Sequence, residues 1–164
     1  WLESLLARNL VERLGISIYS ASELDKICLE KFNLIQMPIS LYDQRLIEDK
    51  TCQDLSRRNI TIHARSIFFQ GLIFSNYKKW PSTISDDFKS HHCHFLSSLD
   101  KESVLELTMN FINNNKFIES ALIGVSCLEE LKEIINIKNK MKFVNEDFSN
   151  FAWNNTCDLD PRLW

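Results

Sequence analysis

The sequence predicts an α/β fold with parallel strands, and three observations carry that expectation. Short, β-branched and mostly apolar runs alternate with helical patterns, in the order helix 2–13, strand 14–18, helix 22–31, strand 33–37, helix 48–58 and strand 60–64. The segments between the runs are long enough to return each strand beside its predecessor by a helical crossover. Polar residues gather just beyond the carboxyl end of the runs, where α/β proteins bind ligands.

Each element has its own signal. In helix 2–13, Leu2, Leu5, Leu6, Leu10 and Leu14 recur at spacings of three and four. Helix 22–31 has Ser22 as a candidate cap, Glu23 and Asp25 in its first turn, and Leu24, Ile27, Cys28 and Lys31 on one face. The run Ile60, Thr61, Ile62, His63, Ala64 has the character of a strand buried on both faces. After Gly71 the rhythm breaks. Roughly thirty residues containing Trp80-Pro81, Ser82, Ser85 and Asp86-Asp87 precede the next clear helix, so this stretch is expected to be a lid or rim segment. Helix 101–113 presents Val104, Leu107, Thr108 and Phe111 on one side and leads through three asparagines to strand 120–125. Helix 128–140 is acidic at Glu129 and Glu130 and basic at Lys138 and Lys140, as its dipole prefers. The tail should be an ordered strap, because Trp153 and Trp164 are costly to leave in water.

Composition narrows the class. The 164 residues, 45% hydrophobic and 25% charged, fit one globular domain. A net charge of -3, without a polybasic run, argues against a nucleic-acid partner. No apolar stretch approaches the roughly 20 residues that span a bilayer, so no membrane partner is expected. The N-terminus, with Glu3, Arg8, Glu12 and Arg13, does not resemble a signal peptide. The five widely spaced cysteines suit a reducing, cytoplasmic setting. Starting at Trp1, inside a helical pattern, the chain looks like a fragment with an internal start. With three glycines it carries neither Gly-x-Gly-x-x-Gly nor a Walker-type phosphate loop, which argues against a Rossmann domain.

Candidate ligand groups lie along one rim: Ser17, Gln36, Arg65, Ser66, Gln70, Gly124 and Ser126. Plainer roles stand beside each. Arg65 and Ser66 also suit strand termination, Ser17 a helix cap, and Gln36 a buried amide that holds a loop. No metal site is expected from His91-His92-Cys93-His94, because adjacent positions point in different directions. His63 is expected to be a packed side chain, and Cys127, at a helix start, a structural thiol.

The segments Gly15-Ile16-Ser17-Ile18-Tyr19-Ser20, Leu34-Ile35-Gln36-Met37-Pro38, Asp43-Gln44-Arg45, His63 through Gly71 and Ile123-Gly124-Val125-Ser126 occur in an order that resembles the aldo/keto reductases. The ending Asp160-Pro161-Arg162-Leu163-Trp164 resembles a bacterial subgroup of that family. The resemblance implies an α/β fold that is the C-terminal half, strands five to eight, of a (β/α)8 TIM barrel. Residues 1–164 would then form a partial NADP-dependent oxidoreductase domain whose N-terminal half is missing. It implies no catalytic residue here, since the family's Asp, Tyr, Lys and His come from the first four strands. It also implies a nicotinamide cofactor, NADP or NAD. Ser17 and Gln36 would bond its carboxamide, and Arg65 would stack on its ring. Ser66, Ile67, Phe68 and Gln70 would line the pyrophosphate path, and Gly124, Val125, Ser126 and Cys127 would meet the adenosine phosphate end. Many relatives have Lys at the position of Gly124 and Arg near Glu130; the absence of that charge here weakens the case for a 2′-phosphate, and Ile18 replaces an asparagine.

The expected function is the cofactor-binding half of an NAD(P)H-dependent reductase of aldehydes or ketones, inactive alone. Its partners would be a nicotinamide dinucleotide and, in the complete enzyme, a small carbonyl substrate. The alternative is a non-catalytic half-barrel that binds or assembles. Half a barrel should expose two strand edges and apolar inner faces, so self-association through those edges is expected.

Overall fold

Alternation of apolar and polar residues organises the sheet in the computed structural model, which describes residues 1–141 and 146–164. Strands β1 (Gly15–Ser17), β2 (Leu34–Pro38), β3 (Thr61–Arg65) and β4 (Ile118–Ala121) are all parallel and adjacent in chain order. Ile16, Ile35, Met37, Ile62, Ala64 and Ile118 belong to or pack against the main core. The opposite face is polar. Ser17, Gln36 and His63 stand side by side in register, with Thr61 and Arg65 flanking His63 along β3. Burial alternates along β3, so it is not covered on both faces as its composition suggested. The expectation of apolar inner faces is corrected likewise, because polar residues occupy every second position of β3.

Arg13 bridges β3 and β4 on this polar face, its guanidinium donating to Thr61 Oγ1 at 3.1 Å and to Glu119 Oε1 at 3.0 Å. Close approach of β1 to β2 requires Gly15: a Cβ there would lie 2.7 Å from Leu34 Cδ2 and 3.0 Å from its carbonyl oxygen.

The helices depart from expectation where local polar bonds compete with them. Helix α1 (Leu2–Ala7) stops early, and Asn9 takes a left-handed φ of 53°. The expected helix 22–31 is two 3-10 turns, Ala21–Lys26 and Leu29–Lys31, separated by the extended backbone of Ile27. Ser20, not Ser22, precedes the first turn, while the Glu23 carboxylate accepts from the Tyr19 N–H at 2.6 Å. The expected helix 48–58 is shortened to α3 (Thr51–Arg57), which a left-handed Lys50 (φ 67°) separates from a preceding short helix, α2 (Arg45–Glu48).

The stretch after Gly71 is more than a lid. It contains α4 (Asp86–Leu96), capped by the Ser85 hydroxyl, which accepts from the Phe88 N–H at 3.2 Å. Helix α5 (Lys101–Asn114) is capped by Asp100, and α6 (Leu128–Lys140) has the expected bounds. β4 starts two residues before the expected strand and ends at Ala121, which leaves Gly124, Val125 and Ser126 in the loop before α6.

The tail folds back as a strap through α7 (Thr156–Leu159). The Trp153 N–H donates to the Tyr42 carbonyl at 2.8 Å, and the Trp153 ring stacks on Phe88 with centroids 5.2 Å apart. Beneath it the buried Asp158 carboxylate accepts from the Ser85 N–H (2.7 Å), Ser85 Oγ (2.8 Å), Trp153 Nε1 (2.9 Å) and Asn155 Nδ2 (2.9 Å). Tyr42 and His92, both buried, share a 2.5 Å hydrogen bond between the phenol oxygen and Nδ1.

Two stability predictions follow from these buried groups. Asp158→Ala strands four donors and should cost about 2–4 kcal/mol, read as a lower denaturant midpoint, with Asp158→Asn recovering part of the loss. For His92, burial first, and then the neighbouring His91, hold its pKa below the ordinary imidazole value. The unfolded chain therefore takes up a proton that the folded ring resists. Stability is present above the ordinary histidine range and falls as pH drops through it, so urea midpoints should decline from pH 7.5 towards pH 5.5. The decline should shrink in His92→Gln; an unchanged slope there would assign it to other groups.

Candidate functional site

The carboxyl ends of β1, β2 and β3 bring three sequence-predicted residues into one row. Ser17 Oγ donates to Gln36 Oε1 at 3.4 Å, and Arg65 Nε donates to Ser17 Oγ at 3.2 Å. A second nitrogen of Arg65 donates to the Ile18 carbonyl at 3.2 Å, which fixes the guanidinium along the rim. Arg65 has no carboxylate partner among the described residues. It lies 3.9 Å from the centroid of Tyr19, and Arg162 lies 3.6 Å from the same ring. Arg162 is itself held by Asp160 at 2.6 Å and by Glu23 at 3.7 Å. That hydrogen-bonded guanidinium keeps the Asp160 carboxyl below the usual carboxylate range.

Beyond Arg65 the chain turns sharply through left-handed backbone: Ser66 (φ 58°), Phe69 (50°), Gln70 (54°) and Gly71 (79°). Three of these are not glycine, a conformation that persists only where the surroundings enforce it. Phe69 supplies the enforcement, packed edge-on against Tyr42, Phe88 and Trp164 at centroid distances of 5.5, 5.5 and 5.1 Å. The turn closes with N–H bonds from Phe69 to the Ser66 carbonyl and from Gly71 to the Phe68 carbonyl, both 2.8 Å.

This turn forms one wall of a cavity of about 400 Å3 whose other wall is the loop before α6. Ser66, Ile67, Phe68 and Gln70 line the first wall, Gly124, Val125 and Ser126 the second. Phe74, Leu105 and Ile134 add apolar surface, and Lys101, Glu130 and Glu133 complete the lining. Lys101 pairs with Glu133 at 2.7 Å. The Glu130 carboxylate accepts the Ser126 N–H at 2.7 Å, so the amino end of α6 already holds a negative charge. Seven of the eleven predicted residues thus meet at one cavity. Ser17, Gln36 and Arg65 form the separate strand-end row, and Cys127 is the exposed residue preceding α6.

Sequence reasoning missed several participants. Tyr19 and Arg162 are 143 positions apart along the chain, and no local pattern announces that they stack. The Glu23 four residues after Tyr19 was a readable signal of a local N–H bond. Lys101 and Glu133 were visible only as helix-surface charges. The histidine run diverges: His91 Nε2 bonds the Phe151 carbonyl at 3.0 Å, His92 turns to Tyr42, and His94 packs on Phe95. Among the described residues no group of three or more His, Cys, Asp or Glu could hold a metal ion. No described helix is long and apolar enough to cross a membrane.

No protein-family model matches the chain, and no curated protein matches it. Among solved structures it is similar to the aldo-keto reductase AKR11C1 from Bacillus halodurans in its holo form, with a TM-score of 0.72 and 16% sequence identity. The match covers 91% of this chain and 52% of that chain, so the chain spans about half the length of the solved structure. At this identity the likeness is one of fold: a parallel four-stranded α/β sheet that matches part of an aldo-keto reductase.

Proposed function

We propose that residues 1–164 are a partial aldo/keto reductase domain, strands five to eight of a (β/α)8 barrel, that binds the NAD(P)H cofactor of an enzyme reducing aldehydes or ketones. The observation that carries this reading is the 400 Å3 cavity between the β3 turn and the loop before α6, with the Ser17–Gln36–Arg65 row beside it. The cavity pairs hydroxyl and amide groups with an apolar floor, the mixture that a phosphate-bearing heterocycle requires.

Ser66, Ile67, Phe68 and Gln70 would hold the pyrophosphate, and Gly124, Val125, Ser126 and Cys127 the adenosine end. Ser17 and Gln36 would orient the nicotinamide carboxamide, an amide that both donates and accepts, and Arg65 would stack on the ring. The cofactor, when bound, supplies hydride to the carbonyl carbon. The groups that would deliver the proton belong to the other half of such a barrel, so this chain alone binds without turnover. The free cysteines suit a cytoplasmic setting.

Glu130 sets the cofactor preference within this reading. Its carboxylate occupies the Ser126 N–H at the start of α6, where a 2′-phosphate would seek a donor, and NAD is favoured over NADP.

Fluorescence titration with NADH and NADPH tests both statements. NADH should saturate the chain and be weakened roughly tenfold by Gly124→Leu, a site where an added Cβ meets nothing within 4 Å, so folding is spared. Glu130→Arg should shift the NADPH-to-NADH affinity ratio about fivefold towards NADPH at low salt, roughly 1 kcal/mol for an exposed charge reversal. Failure of both cofactors to bind would remove the reading. An unmoved ratio would remove only the role of Glu130.

The assembly alternative has its own support. Among the described residues β1 pairs only with β2 and β4 only with β3, and exposed apolar side chains stand on α6 (Leu128, Leu131 and Ile135) and at and after α1 (Trp1, Leu2 and Leu10). Light scattering across a concentration series should show association of the isolated chain, reduced by Leu131→Glu with Ile135→Lys. A monomer at all concentrations would exclude it.

A further inference from the structure

We propose that Tyr19 is a positioning residue for Arg65, and that Arg162 in the C-terminal strap acts on the nicotinamide end of the rim through the Tyr19 ring. This role rests on the cofactor-binding reading, in which Arg65 stacks on the nicotinamide.

Two guanidiniums flank one phenol ring. The Cζ atoms of Arg65 and Arg162 lie 3.9 Å and 3.6 Å from the Tyr19 ring centroid. Two guanidinium carbons this close to one centroid would overlap if they shared a face, so they occupy opposite faces and the ring is sandwiched between them. Arg65 needs such a wall. Its in-plane bonds run to neutral acceptors: Ser17 Oγ at 3.2 Å, the Ile18 carbonyl at 3.2 Å and Ser66 Oγ at 3.5 Å. Bonds at or beyond the long end of the ordinary range tether the group but leave it able to tilt. Contact with the face of Tyr19 removes that tilt.

The ring is held from its other side by charged groups. The Tyr19 N–H donates to Glu23 Oε2 at 2.6 Å, and Glu23 Oε1 lies 3.7 Å from Arg162 Nη1. Asp160, which is buried, grips Arg162 through Nη2–Oδ2 at 2.6 Å and Nε–Oδ1 at 2.9 Å. These charge-assisted bonds are the short, strong members of the set. Rigidity therefore passes from Asp160 through Arg162 and Tyr19 to Arg65, and joins the end of the strap to the carboxyl ends of β1 and β3. With one face on Tyr19, Arg65 can stack a planar ligand only on its other face, and a guanidinium already held in one plane loses less freedom on doing so.

NMR of the arginine Nε–H groups, and titration calorimetry with NADH and with ADP-ribose, which lacks the nicotinamide, test this on the whole chain. The Tyr19 ring current should displace the Arg65 Nε–H signal; Tyr19→Phe should keep that displacement and Tyr19→Leu should remove it. Tyr19→Leu should weaken NADH roughly tenfold while ADP-ribose stays within about twofold, and Tyr19→Phe should restore NADH. Should Tyr19→Leu not fold, Arg162→Met decides: its side chain is half-exposed, and its loss should weaken NADH roughly threefold with ADP-ribose unmoved. Equal losses of NADH and ADP-ribose, a Tyr19→Phe as weak as Tyr19→Leu, unaltered NADH affinity in Arg162→Met, or an Arg65 signal that ignores Tyr19→Leu would each overturn the proposal. A wild-type chain that binds neither ligand would instead remove the cofactor-binding reading, and the Nε–H signals would still report whether Tyr19 fixes Arg65.

Discussion

One buried carboxylate, Asp158, holds the C-terminal strap and the start of α4 in a single arrangement, and the rim is built on that arrangement. Its four donors come from Ser85, Trp153 and Asn155, so its negative charge is compensated by hydrogen bonds and not by a cation. Ser85 caps α4, and α4 delivers Phe88 into the aromatic cluster with Tyr42 and Trp153. Phe69 packs into the same cluster, and the left-handed turn after β3 is anchored by that ring. A chain of contacts therefore runs from a polar group in the tail to the wall of the main cavity. Strain at Ser66, Phe69 and Gln70 is sustained by aromatic packing more than ten residues away in sequence.

Charge is distributed unevenly along the rim that this scaffold supports. At the strand-end row, Arg65 has no acidic partner among the described residues, while Arg162 behind Tyr19 is matched by Asp160 and Glu23. At the other end of the cavity the carboxylates of Glu130 and Glu133 face one ammonium, Lys101, which is already engaged by Glu133. An elongated ligand lying from one region to the other would meet a cation at its first end and a carboxylate at its second. Such a gradient orients a molecule whose own charges are unevenly placed, and it does so through fixed groups that need little reorganisation on binding.

How much of this was readable in the sequence depended on the range of the interactions involved. Strand positions around Ile35, Ile62 and Ala64 were legible because β-branched and apolar residues cluster there, and α6 was legible to the residue because its face and its end charges agreed. The α4 helix went unseen because Trp80-Pro81 and Ser82 suggested a loop, although Ser85 followed by Asp86-Asp87 is a capping signal. Helix 22–31 failed for the opposite reason: its apolar face was present, but Glu23 bonds the Tyr19 N–H and Ile27 is extended, which the spacing of leucines cannot reveal. At the site, contiguous groups such as Ser66 to Gln70 could be named in advance. The Arg65–Tyr19–Arg162 stack and the Lys101–Glu133 pair could not, since each joins segments brought together only by the fold.

The sheet itself divides the labour between stability and binding. Its apolar face, with Ile35, Met37, Ile62 and Ala64 essentially without exposure, carries the packing energy. Its polar face carries Ser17, Gln36, Thr61, His63 and Arg65, joined at one end by Arg65 and at the other by Arg13 bridging to Glu119. Because side chains alternate along a strand, neighbouring positions of β3 serve opposite ends: Ile62 and Ala64 hold the fold while Arg65, one residue further, reaches the rim. A one-residue slip of β3 against β2 would bury Arg65 and expose Ala64, destroying core and rim together. The register that places Pro38 beside Arg65 and Gln36 beside His63 is thus set by the core, and the binding row inherits its geometry from it.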